Sequence, residues 1–210
     1  MDLICFDLDN TLLDSERAHV SAYNSALKKN GFSPWKFKDI VMLFGRSHEE
    51  LVSILIESKD KKTIRKIQRY HDRILVNKFC KYARVKRGVK TTLDVLRKRY
   101  LLAVVSNASH KSVVSLLDGA GLNKKCFSVI IGNNDVKHSK PSPDEIFKAE
   151  KLLHHKARYM VGDSTYDVLA GKRAKVKTIA VLSGRYTQRR LKAVKPDYLI
   201  RDFKGLLRIL

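Results

Sequence analysis

The first fourteen residues hold four carboxylates, Asp2, Asp7, Asp9 and Asp14, and no Lys or Arg. Asp7 and Asp9 stand two apart in Phe6-Asp7-Leu8-Asp9-Asn10-Thr11, where an apolar run ends. On a turn leaving a strand, alternate positions can face one site. One carboxylate can then attack an electrophile while the other exchanges a proton. Carboxylates this crowded repel one another unless a cation or helix termini offset them. Asp163 and Asp167 follow a second apolar run, and Ser106-Asn107 ends a third. An oxygen-only ligand set suits Mg²⁺, a hard cation that keeps waters and binds through a few carboxylates plus substrate phosphate. Ser106 and Asn107 can donate hydrogen bonds to phosphate oxygens, and Lys140 can offset their charge. A carboxylate nucleophile with metal, lysine and hydroxyl around it describes phosphoryl transfer through an aspartyl-phosphate.

Elements from distant parts of the chain must bring these residues together. Residues 3–7, 101–105, 127–131, 158–161 and 178–181 read as strands, with a last short one at 197–200. Helices are expected over 89–99, 110–120 and 165–174. Another starts at Pro143-Asp144-Glu145 and runs to about 155, because Pro suits a first turn and acids suit its dipole. Alternating strands and helices imply a parallel sheet flanked by helices. Residues 15–85 break that alternation. Asp14 or Ser15 can cap a helix to about 29, residues 38–58 look helical, and a longer helix is expected over 60–82. In that last stretch Ile64, Ile67, His71, Ile74, Leu75 and Phe79 recur near a 3.6-residue spacing. The simplest architecture is an α/β core of residues 1–14 and 86–210, with a helical insertion at 15–85. Ligands of such sheets bind beyond the carboxyl ends of the strands. Those ends carry Asp7/Asp9, Ser106/Asn107 and Asp163/Asp167, with Lys140 after the third strand.

Four segments carry a family resemblance. Phe-Asp-Leu-Asp-Asn-Thr-Leu-Leu-Asp-Ser, Val-Val-Ser-Asn, Lys-Pro-Ser-Pro-Asp-Glu-Ile-Phe and Val-Gly-Asp-Ser-Thr-Tyr-Asp resemble, in order and spacing, the four motifs of the haloacid-dehalogenase (HAD) superfamily. The resemblance covers nearly the whole chain. It implies an α/β fold with a Rossmannoid parallel sheet, and an α-helical cap at 15–85. By position it makes Asp7 the nucleophile and Asp9 the general acid/base. Asp7, the backbone carbonyl of Asp9 and Asp163 would hold Mg²⁺, with Asp167 supporting the metal directly or through water. Ser106, Asn107 and Lys140 would bind the transferring phosphoryl group. His19, twelve residues after Asp7, matches a His of several sugar-phosphate members. Gly45-Arg46-Ser47-His48 resembles a cap loop in which Arg46 would meet an anionic substrate group. For His19 and Arg46, packing and solvated-face roles stand as alternatives.

The departures select a branch. Halide-displacing members lack the second acid of the first motif, which is present here as Asp9. Mutases of the β-phosphoglucomutase type have Glu-Asp-Ser-x-x-Gly in the fourth motif and Arg where His48 stands. The resemblance is therefore to simple phosphatases of the phosphoglycolate-phosphatase and pyrophosphatase kind, acting on a small phosphomonoester. A phosphomutase is the alternative. Asn10 replaces a commoner Gly. Lys175 stands where Gly usually follows the motif-four helix; a left-handed backbone there costs about 1 kcal/mol.

Composition sets outer bounds. At 44% apolar, the 210 residues can build a core. The longest strongly apolar run is far too short to span a membrane. Cys5, Cys80 and Cys126 form no CxxC pair, so reduced thiols are expected. With an acidic N-terminus unlike a secretory signal, a cytoplasmic enzyme is expected. The formal charge is +22, with −4 in residues 1–14, +11 in 15–87, +5 in 88–170 and +10 in 171–210. Such a surface keeps a nucleic-acid-associated role open. No zinc finger, RNP signature or helix-turn-helix sequence accompanies it. The sequence leaves the substrate and oligomeric state open.

Overall fold

A strand buried on both faces can be apolar at every position. β1 (Asp2–Phe6) is such a strand, with Leu3, Ile4, Cys5 and Phe6 fully buried. The computed structural model describes residues 1–183 and 186–210. In it, β1 pairs in parallel with β4 (Tyr100–Ser106) on one side and β6 (Ala157–Gly162) on the other. β5 (Val129–Gly132) lies beyond β4, and β7 (Lys177–Val181) and β8 (Tyr198–Ile200) lie beyond β6. The result is a parallel sheet of order β5-β4-β1-β6-β7-β8. Successive residues serve opposite faces. Ile4, Phe6, Leu102 and Val104 pack with Leu93 of α5 (Val89–Leu96) and Leu116 of α6 (His110–Gly119). Leu3, Cys5, Ala103 and Val105 pack with Ile146 and Ala149 of α7 (Asp144–Leu153) and Ala170 of α8 (Thr165–Arg173). Because β4 and β6 flank β1 from opposite directions, the carboxyl end of β1 is a topological switch point. Open α/β sheets bind ligands at such points.

The helices between β1 and β4 have an apolar cluster of their own. α1 (Glu16–Lys29), α2 (Phe37–Val41), α3 (His48–Leu55) and α4 (Lys61–Ile74) enclose Val20, Leu27, Ile40, Leu51, Val52 and Ile67. The chain enters and leaves this segment through β2 (Leu13–Asp14) and β3 (Arg84–Val85), a two-residue antiparallel pair. Strands that short carry no periodicity, and the sequence reading contains neither.

Several boundaries differ from expectation for identifiable reasons. The helix expected over 38–58 is two helices. Gly45 takes a left-handed φ of 93°, and Ser47 caps α3 by accepting from the Glu50 N–H at 3.2 Å. The helix expected over 60–82 stops as α-helix at Ile74 and continues as a π-helical turn, Leu75–Phe79, and a 3₁₀ turn, Cys80–Tyr82. Asp14 lies in β2 and is exposed, leaving Ser15 at the N-cap of α1 with no side-chain capping bond. A short α9 (Gln188–Ala193), absent from the sequence reading, precedes β8. Lys175 does take a left-handed backbone, φ 59°, and its N–H closes the end of α8 on Lys172 O at 3.0 Å. All three cysteines are free. Among the described residues, no helix is long and apolar enough to cross a membrane.

Candidate functional site

Beyond β1 the chain folds back sharply. The N–H groups of Leu12 and Leu13 donate to Leu8 O at 2.9 and 3.0 Å, and Asn10 N–H donates to Leu13 O at 2.7 Å. Asn10 sits in the left-handed region at φ 61°, which Asn tolerates better than most residues. The turn leaves Asp7 buried at the base of a pocket. The Asp9 side chain, 24% exposed, stands at its edge. All nine residues singled out from the sequence line this one pocket: Asp7, Asp9, His19, Arg46, Ser106, Asn107, Lys140, Asp163 and Asp167.

Among the described residues, Lys140 is the only cation buried at its base. Its three N–H bonds are all used, to Asp7 Oδ1 at 2.6 Å, Asp167 Oδ1 at 2.7 Å and Val105 O at 3.0 Å. Burial opposes its charge, but Asp167 and Asp7 outweigh burial and hold its pKa above the usual lysine value. One ammonium does not neutralise the acids. Burial pushes Asp7 up to about 8, with Asp167 and Asp9 adding to the rise and Lys140 opposing it. Burial likewise raises Asp163 well above the carboxylate range, helped by Asp7 and Asp167. Asp7, Asp163 and Asp167 each bring an oxygen within 4.8 Å of the others. A buried, oxygen-only cluster short of positive charge fits a hard divalent cation.

Local structure fixes each acid. Thr11 Oγ1 donates to Asp163 Oδ1 at 3.2 Å. Asp167 and Ser164 form a capping box at the start of α8. Ser164 N–H and Oγ–H both donate to Asp167 Oδ2, at 3.0 and 2.6 Å. A Cβ on Gly162 would stand 2.3 Å from Asp167 Cγ, so only glycine admits that carboxylate. Behind Lys140, Glu145 is fully buried and neither carboxylate oxygen has a hydrogen-bond partner among the described residues. Burial raises it to about 7, against the pull of Lys140. From sequence, Glu145 reads only as a helix-dipole acid.

Ser106, Asn107 and Arg46, expected from sequence to meet phosphate or substrate, line the same pocket. Ser106 is buried, and its Oγ accepts from Ala108 N–H at 3.1 Å. Asn107 Nδ2 donates to Lys140 O at 3.1 Å and to Gly45 O at 3.4 Å, while its Oδ1 is buried without a partner among the described residues. Arg46 lines the pocket with its guanidinium bonded to Glu50, whose second oxygen accepts from Tyr166 at 3.4 Å. The structure therefore brings Arg46 to the site as half of an ion pair.

Ser15 and His19 of the helical segment both reach Asp9. Asp9 Oδ1 accepts from Ser15 and contacts His19 Nε2 at 3.2 Å. Burial works against ionising Asp9, but His19 and the Ser15 hydroxyl outweigh it and lower its pKa. Behind His19, its Nδ1 lies 3.3 Å from His71 Nε2, and His71 Nδ1 lies 2.9 Å from Asp72 Oδ1. If Asp72 accepts from His71 Nδ1, His71 Nε2 must accept from His19 Nδ1, and one proton remains between His19 Nε2 and Asp9. His48 stands beside this chain, its Nδ1 3.8 Å from Asp72 Oδ1. The sequence reading treats His71 as an apolar-stripe residue and His48 as a departure from a mutase pattern. His71 does pack on Tyr23, with ring centroids 4.0 Å apart, which is why spacing alone hides its polar role.

Paired acids, lysine and hydroxyl gather at the carboxyl end of a parallel sheet, facing a helical insertion, where open α/β sheets bind their ligands. The haloacid dehalogenase-like hydrolase family model matches residues 4–181, and the chain belongs to that family. It is 30% identical to the pyrophosphatase PpaX of Bacillus mycoides over 219 residues, covering 100% of this chain and 97% of the relative. A crystal structure of a predicted phosphoglycolate phosphatase from Haemophilus somnus superposes with a TM-score of 0.86 at 26% identity, covering 100% of this chain and 97% of the other. A predicted phosphatase from Clostridium acetobutylicum shares the fold at a TM-score of 0.88 and 21% identity, covering 99% and 97% of the two chains.

Proposed function

We propose that this protein is a Mg²⁺-dependent phosphatase that hydrolyses a small phosphomonoester through an aspartyl-phosphate on Asp7. The observation that carries this reading is Lys140 bridging Asp7 and Asp167 at 2.6 and 2.7 Å beside Asp163. It puts an attacking carboxylate and its charge partner at one strand-end site. The names of the relatives, a pyrophosphatase and a phosphoglycolate phosphatase, support the reaction class.

One Asp7 oxygen attacks phosphorus, forming the acyl-phosphate bond as the bond to the leaving oxygen breaks. Asp9 delivers the proton held between it and His19 to that oxygen. Asp9 then takes a proton from water, whose oxygen attacks phosphorus, releasing inorganic phosphate and restoring Asp7. Ser106 and Asn107 hold the non-bridging oxygens, and the Lys140 ammonium offsets their charge from its place between Asp7 and Asp167. Asp7, Asp163 and the Asp9 carbonyl would hold Mg²⁺, with Asp167 in direct or water-mediated support, and the bound ion would offset charge on phosphate and carboxylates. The helical segment 15–85 acts as a cap that limits water. Both parts of the site serve hydrolysis, and Asp9 disfavours halide displacement.

The test is a Mg²⁺-dependent assay on a panel of 2-phosphoglycolate, sugar phosphates, nucleotides and pyrophosphate. Hydrolysis of at least one member is expected, with a loss of about 10⁴-fold or more in Asp7→Asn. Undiminished turnover in Asp7→Asn contradicts the reading. Transfer to a sugar in place of water would instead mark a mutase.

A further inference from the structure

The pocket holds a second polar cluster, made wholly by the helical segment. His48 opens α3, and His71 and Asp72 lie near the end of α4. One donor atom from each lies within 4.8 Å of the other two. We propose that His48, His71 and Asp72 form a binding site for a single Zn²⁺-class divalent metal, separate from the carboxylate cluster on the sheet.

Geometry supports this first. Tetrahedral Zn²⁺, with bonds near 2.0–2.1 Å, places its ligand atoms about 3.3 Å apart. His71 Nδ1–Asp72 Oδ1 at 2.9 Å and His48 Nδ1–Asp72 Oδ1 at 3.8 Å bracket that spacing. The donor set also differs from the catalytic one. Two imidazoles and one carboxylate select a borderline metal, whereas the oxygen-only set of Asp7, Asp163 and Asp167 selects a hard one. Three protein ligands leave a fourth position for water, as in open zinc sites.

His48 supplies an independent observation. Its side chain is only 9% exposed, its Nε2 is buried without a partner among the described residues, and its Nδ1, 3.8 Å from Asp72 Oδ1, is beyond hydrogen-bond reach of it. A buried polar ring so placed calls for a partner that these side chains do not supply.

The shell behind His71 is built as well. Metal-binding imidazoles usually donate their other N–H to a fixed acceptor. With metal on His71 Nδ1, the Nε2–H points to His19 Nδ1 at 3.3 Å, and His19 Nε2–H points to Asp9 Oδ1 at 3.2 Å. The site would thereby join α3 to α4 and brace the residue that contacts Asp9.

Co²⁺ is the probe, because its visible ligand-field bands report tetrahedral nitrogen–oxygen ligation. Metal-stripped full-length protein in saturating Mg²⁺ is titrated with Co²⁺, and then with Zn²⁺ to displace it. One equivalent of tetrahedral Co²⁺ is expected, displaced by one Zn²⁺. His48→Ala and His71→Ala should each weaken binding at least about a hundredfold, and His19→Ala by about tenfold. Zn²⁺ should also raise the melting temperature of the unmutated protein in Mg²⁺, a readout that needs no variant. The proposal is overturned if the unmutated protein shows no such bands, or if they persist unchanged in both ligand variants. Neither result bears on Mg²⁺-dependent hydrolysis, which is assayed separately without Zn²⁺ or Co²⁺.

Discussion

Gly162 and Lys140 show how single residues set the chemistry. A methyl group at position 162 would meet Asp167 Cγ at 2.3 Å, so the carboxylate would have to shift. Gly162→Ala is expected to destabilise the fold by about 1–3 kcal/mol, the usual penalty of overpacking, and to lower activity by moving Asp167. Urea denaturation and the Mg²⁺-dependent rate measure the two effects. Lys140 binds two buried acids, so Lys140→Met leaves charges without a partner. A loss of about 3–5 kcal/mol in unfolding free energy is expected at pH 8 in the absence of metal, with activity abolished. The residues at strand ends were legible because each apolar run stops at a polar residue, as at Asp7, Ser106 and Asp163. His71 was not legible in this way. It occupies a helix position one turn after Ile67, and nothing in its spacing distinguishes a core imidazole from one in a hydrogen-bonded chain.

Short elements carry the polar groups to the pocket, and short elements are where sequence periodicity fails. α3 has eight residues and begins at His48, capped by Ser47. Removing the capping oxygen in Ser47→Ala is expected to cost about 1 kcal/mol, read as a lowered urea midpoint. Because His48 sits in the first turn, the same change should loosen the His48–His71–Asp72 cluster without touching the sheet. Within the stretch 38–58 that looks helical from sequence, Gly45 and Ser47 separate α2 from α3, a break its apolar pattern does not show. The β2–β3 pair was equally hidden, because its pairing is between residues about seventy apart and depends on tertiary structure. The long strands and the helices of the α/β core were legible because each carries enough apolar positions to show its period.

Across the whole molecule, charge is divided between a basic exterior and an acidic, buried centre. The net charge of +22 is a property of the surface, whereas Asp7, Asp163 and Asp167 are all 7% exposed or less. Labelled RNA is expected to bind weakly at low salt and to dissociate near 150 mM, the behaviour of polyelectrolyte attraction. The centre governs stability in the opposite sense to ordinary ion-paired acids. Asp7 is raised from 3.8 to about 8, so the folded protein binds more protons than the unfolded chain between those values. The stability this provides is fully present below pH 4 and is lost as pH rises through about 8. In EDTA, the melting temperature should therefore show a downward contribution from pH 5 to 8 that Mg²⁺ reverses and Asp7→Asn diminishes. The +22 total says little about function by itself; its uneven distribution, with acids gathered at the N-terminal strand, is what made the centre visible in sequence.

The central claim is that phosphorus is transferred to Asp7 before it reaches water. A rapid acid quench during steady turnover in Mg²⁺, followed by borohydride reduction and peptide mass spectrometry, tests this directly. The expected result is homoserine at position 7, dependent on substrate and confined to that residue. Turnover at the full rate with position 7 always recovered as unmodified aspartate, under conditions that trap an acyl phosphate in a control enzyme, would contradict it.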